Sequence, residues 1–79
     1  MKPSDHYAKI VYWSDEDGCF LGSCPDLCGP CCHGDDPKLV FGELCEIVEE
    51  WIDILEHAGK PLPPVTAPRF VERTLAEAA

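Results

Sequence analysis

The stretch DDPKLVFGELCEIVEEWIDILEHAGKP, residues 35–61, decides the fold. Local stereochemistry marks both of its ends. Asp35 and Asp36 offer side-chain oxygens to the free N–H groups of a helix start, and Pro37 suits the first helical position, where no N–H is needed. Gly59 can adopt the left-handed backbone of a C-terminal cap, and Pro61 blocks continuation. The spacing predicts one helix from Pro37 to Ala58. At about 100° per residue, Val40, Leu44, Ile47, Val48, Trp51, Ile54, Leu55 and Ala58 form an apolar stripe flanked by Phe41, Cys45 and Ile52. Trp51 is expected in the core.

The opposite arc holds Glu43, Glu46, Glu49, Glu50, Asp53 and Glu56, with no Lys or Arg. Glu46 and Glu50, like Glu49 and Asp53, are like-charge pairs four residues apart, each costing roughly a few tenths of a kcal/mol. A helix selected only for stability would interleave cations. Two readings stand side by side: a solvated face that serves solubility, or a face that meets a basic partner through Glu43, Glu46, Glu49, Glu50 and Asp53.

Upstream, Tyr7 to Trp13 reads as a strand apolar on both faces, with Tyr7, Val11 and Trp13 on one side and Ala8, Ile10 and Tyr12 on the other. Ser14-Asp15-Glu16-Asp17-Gly18 is a turn, and Cys19 to Cys24 returns as a second strand. Pro25 to Pro30 reads as a loop, leaving Cys31 to His33 for a short third strand. The expected fold class is α+β, a three-stranded antiparallel sheet with one long helix packed across it. It would form one domain over residues 1–64. The tail, 65–79, would be a short helix or a fourth strand docked by Phe70, Val71 and Leu75. One helix cannot also cover Tyr7, Val11 and Trp13 on the far side of the sheet. A homodimer through strand edges or that second face is therefore expected.

The chain has 79 residues, 46% apolar and 27% charged, with six Lys and Arg against fifteen Asp and Glu. The formal charge of −9 disfavours direct binding to nucleic-acid phosphate or an anionic membrane and favours a basic protein. No apolar run approaches the ~18 residues of a membrane span, and the start lacks a secretory pattern, so a cytoplasmic location is expected. Six cysteines in a reducing compartment must be core fillers, metal ligands or redox groups. Cys24, Cys28, Cys31 and Cys32, with His33, crowd into ten residues, and the Cys28/Cys31 spacing would suit half of a zinc site. A small zinc-binding protein is accordingly the alternative function. Filler thiols are the simpler reading, since neighbouring Cys31 and Cys32 would point to opposite faces of a strand. Cys19, Cys45, Trp13 and Trp51 are likewise assigned to the core. No nucleophile–base–acid set is legible, so neither enzymatic activity nor a cofactor is expected.

Four motifs stand in one order: Asp15-Glu16-Asp17-Gly18, Pro25-Asp26-Leu27-Cys28-Gly29, Gly34-Asp35-Asp36-Pro37 and Gly59-Lys60-Pro61-Leu62-Pro63. From Tyr7 to about Pro64 the chain resembles the HicB-like antitoxin family. That family shows an aromatic strand, an acidic turn ending in Gly, a Pro-Asp-Leu-Pro-Gly-Cys-like motif, a Gly-Asp-Thr helix start and a proline-rich exit. Here Cys28 stands at the family's proline, Pro30 at its cysteine and Leu39 at a usual glutamate. The resemblance implies a partial ribonuclease-H-like fold and inhibition of a HicA toxin, a small basic ribonuclease. The residues after Pro68 imply a short form without a DNA-binding domain.

Overall fold

Why the helix sits where it does follows from the small residues beneath it. In the computed structural model, which describes residues 2–69 and 72–73, strands β1 (Ile10–Ser14), β2 (Cys19–Cys24) and β3 (Gly29–Gly34) form an antiparallel sheet in the order β1-β2-β3. Helix α1 (Pro37–His57) crosses it, and a 3-10 turn (Pro3–His6) precedes β1. The side of the sheet facing α1 presents Gly22, Cys24, Cys32 and Gly34 along β2 and β3, so Val40 and Leu44 approach the strand backbone closely. The buried core is Tyr7, Cys24, Cys32, Val40, Leu44, Val48 and Ile52.

The helix ends are as their residues dictate. Asp36 Oδ1 accepts the Lys38 N–H at 2.9 Å, with Pro37 in the first turn. At the far end Gly59 takes φ +69°, while the Lys60 N–H reaches the Leu55 carbonyl at 2.9 Å and the Gly59 N–H reaches that of Glu56 at 3.1 Å. This paired 6→1 and 5→2 closure satisfies the last free carbonyls.

The stripe is narrower than the sequence suggests. Its buried row is Val40, Leu44, Val48 and Ile52. Ile47 packs against that core and Leu55 is half-buried, but Trp51 is 44% exposed, Ile54 63% and Phe41 45%. A helix of 21 residues is about 31 Å long, whereas a six-residue strand spans about 20 Å. The sheet supports roughly the distance from Val40 to Ile52 and no more. Trp51 therefore does not belong to the core, and neither does Trp13, which is 52% exposed at the sheet margin. Trp13 packs edge-on to Phe20, ring centroids 5.2 Å apart, and donates its indole N–H to Asp15 Oδ1 at 2.9 Å.

The faces of β1 are the reverse of the expectation. Val11 is opposite Gly22, beneath α1, and packs against the core, as Trp13 packs on Phe20. Cross-strand partners share a face, so the outer face carries Ile10, Tyr12, Leu21 and His33. Tyr7 precedes β1 and is buried, its hydroxyl donating to the Pro63 carbonyl at 2.5 Å.

β3 begins at Gly29, inside the segment expected as loop. Pro30 is accommodated because β3 is an edge strand and the ladder shifts register between Gly22 and Ser23. Pairing passes from Cys32 to Pro30, so Cys31 is the extra residue of a bulge. The tail expectation falls partly on residues outside those described. Residues 67–69 and 72–73 are helical. No helix among the described residues is long and apolar enough to cross a membrane.

Candidate functional site

The acidic arc is a real surface. Glu43, Glu46, Glu50, Asp53 and Glu56 are exposed on the side of α1 away from the sheet. The hairpin turn adds exposed Asp15, Glu16 and Asp17. Glu49 differs. It is half-buried, and its Oε1 lies 2.9 Å from Lys2 Nζ, the one ion pair among the described residues. The 3-10 turn brings Lys2 there, with Pro3 setting the turn and the Lys2 N–H donating to Asp5 Oδ2 at 2.9 Å. Glu49 beside it raises the Lys2 ammonium above its ordinary pKa. Of the five carboxylates expected to meet a partner, four stand open and one already holds the amino-terminal turn. Sequence spacing could not show this, because the two residues lie 47 positions apart.

The thiols come together differently from the expectation. The bulge cancels the strand alternation, so Cys31 and Cys32 both lie on the core side with Cys24 and Cys28. The Cys31 thiol lies within electrostatic reach of those of Cys28 and Cys32. Cys31 Sγ also lies 3.9 Å from the Gly22 carbonyl oxygen and Cys32 Sγ 3.6 Å from that of Val40, acceptors that a protonated thiol satisfies. Burial, first of all, pushes the Cys31 and Cys32 thiols up to about 11, and raises Cys24 and Cys28 as well. Metal ligation requires thiolates. Among the described residues no three His, Cys, Asp or Glu are arranged to hold a metal ion. His33 is opposite Leu21 on the outer face, away from the sulfurs. Cys24 and Cys32 are core fillers; Cys19 and Cys45 are only half-buried and outside the core, contrary to expectation.

One polar cluster was not anticipated. Asp26, in the β2–β3 turn, accepts the Thr66 N–H at 2.8 Å, the Thr66 hydroxyl at 2.6 Å and the Ala67 N–H at 2.7 Å. The Thr66 hydroxyl and then the Ala67 N–H hold its carboxyl below the ordinary range. Asp26 thereby fastens the proline-rich exit and the start of the helical residues 67–69 to the sheet. The only sequence signal was an Asp in a turn.

No family model, no curated protein and no solved structure matches the chain.

Proposed function

We propose that the chain is a HicB-like antitoxin or an orphan relative, an acidic module of partial ribonuclease-H-like outline that acts in the cytoplasm. It would bind and inhibit a small basic HicA-type mRNA-interferase toxin, and would do no chemistry, need no cofactor and make no direct nucleic-acid contact. The observation that supports this is the open acidic face of α1: Glu43, Glu46, Glu50 and Asp53 are exposed, and none forms an ion pair among the described residues. Four motifs in family order support it from the sequence side. Complementary charge would steer encounter, so association should slow as salt rises.

The test is binding to a HicA-type toxin by wild type and by the triple variant Glu46→Lys, Glu50→Lys, Asp53→Lys. Glu49 is left in place because it holds Lys2. The variant should keep its helical circular dichroism, since all three side chains are exposed. Affinity for the toxin should fall on the order of 100-fold, and protection of cells should go with it. Wild-type binding by a folded variant would move the partner to another surface. Failure of the wild-type chain to bind any HicA-type toxin would remove the reading.

A further inference from the structure

The two edges of the sheet are unlike. β3 carries Pro30 and the bulge at Cys31, both of which spoil an edge for further pairing. β1 has neither. Ile10, Val11, Tyr12, Trp13 and Ser14 are uncharged, include no proline and pair with β2 without a register shift. Among the described residues no strand lies beyond β1. Three of its five residues, Ile10, Tyr12 and Trp13, are exposed large apolar groups. On a chain of charge −9 this is a neutral stretch, flanked by one charge of each sign, Lys9 and Asp15.

Backbone direction fixes how such an edge can be met. The Ser14 carbonyl accepts the Gly18 N–H at 2.8 Å across the hairpin turn, so it faces inward. Peptide groups alternate along a strand. Those of Tyr12 and Ile10 therefore also face β2, and those of Val11 and Trp13 face outward. An antiparallel neighbour makes a full ladder where outward groups meet outward groups. A second copy does this about a two-fold axis through Tyr12: Val11 meets Trp13 of the second copy, and Trp13 meets Val11. The same register sets Lys9 opposite Asp15 of the second copy at both ends. The in-phase registers centred on Val11 or on Trp13 leave Lys9 and Asp15 without each other. Lys9 Nζ donates to the Ser4 carbonyl at 2.6 Å and to that of Tyr7 at 3.4 Å, which leaves its third N–H; Asp15 uses Oδ1 for the Trp13 indole and leaves Oδ2.

We infer that the chain self-associates by antiparallel β1–β1 pairing about Tyr12, closed at each end by a Lys9–Asp15 pair between copies. Two three-stranded sheets join into one, with both α1 helices on the same side. This does not depend on what the acidic face of α1 binds.

Sedimentation equilibrium of the full chain tests it. Wild type should be a dimer at roughly 100 μM. Val11→Pro removes an outward N–H and leaves the β1–β2 ladder intact, so it should be monomeric with native circular dichroism. Should that variant fail to fold, the charge swaps still decide. Lys9→Glu and Asp15→Lys should each weaken the dimer on the order of tenfold, by placing like charges opposite one another twice. The double swap should restore it to within about threefold of wild type. A wild-type monomer, or a dimer that a folded Val11→Pro leaves unchanged, overturns the inference and returns β1 to a strand from a different partner. So do single swaps without effect, or a double swap no better than either single one.

Discussion

Gly22 and Cys32 face each other across β2 and β3, and a methyl group built on Gly22 would lie 2.5 Å from the Cys32 sulfur. It would also lie 3.1 Å from Val40 Cγ1. The helix can sit low on the sheet only because one of these two positions has no side chain. Gly22→Ala should overpack this layer and cost roughly 1–3 kcal/mol. Combining it with Cys32→Ala, which removes the nearest atom, should recover about half of that loss. Urea unfolding of the two single variants and the pair measures it. An unchanged midpoint for Gly22→Ala would mean the helix rides high enough on the sheet to clear a methyl group there.

Leu44 and Trp51 lie seven residues apart on α1 and should respond very differently. Leu44 is fully buried, so Leu44→Ala should cost roughly 2–5 kcal/mol. Trp51 is 44% exposed near the end of the supported length, so Trp51→Ala should cost no more than about 1 kcal/mol. Thermal melts of both variants give the comparison. Similar destabilisation by the two would place Trp51 back in the core.

High pH should weaken the fold through the thiols. Below the ordinary value of 9.0 the folded and unfolded chains both keep the Cys31 and Cys32 protons. Between there and about 11 the unfolded chain releases protons that the folded chain retains. Stability falls across that window and then levels. Tyr7, raised by burial, adds to the fall. Urea midpoints from pH 8 to 11.5 should decline in wild type, roughly as this linkage requires. They should decline less in the Cys31→Ala, Cys32→Ala variant. Equal slopes would assign the whole effect to other groups.

Acid should loosen the tail first. The Asp26 carboxyl is held below its ordinary 3.8 by Thr66 and Ala67. Above 3.8 the attachment is intact, and it is lost as pH falls through the lower folded value, where the carboxylate finally takes a proton. Amide hydrogen exchange at Thr66 and Ala67 should accelerate there, beyond the intrinsic pH dependence, ahead of amides in α1. Asp26→Asn should give the fast exchange at neutral pH. Protection of Thr66 and Ala67 unaltered in Asp26→Asn would show that Pro63 and Tyr7 alone anchor the exit.

The sequence by itself determined the features set by neighbours along the chain. Asp36, Pro37 and Gly59 fixed the ends of α1 through short-range backbone stereochemistry, which needs no distant partner. Gly18, at φ +65°, fixed the hairpin turn for the same reason. The acidic arc was legible because the helical period alone places Glu46, Glu50 and Asp53 together. Tertiary structure decided what each face meets. Trp51 and Ile54 are apolar at the right period, yet a sheet about 20 Å long cannot cover a helix of about 31 Å. Val11 and Ile10 are interchangeable to a period-two pattern, and only the register opposite Gly22 turned Val11 inward. Cys31 and Cys32 share a side because a bulge cancels alternation, and that bulge depends on pairing with β2. Lys2 with Glu49, and Asp26 with Thr66, join residues 47 and 40 positions apart. Local propensity carries no information at such separations, since only packing the chain into one volume brings those groups within hydrogen-bonding reach.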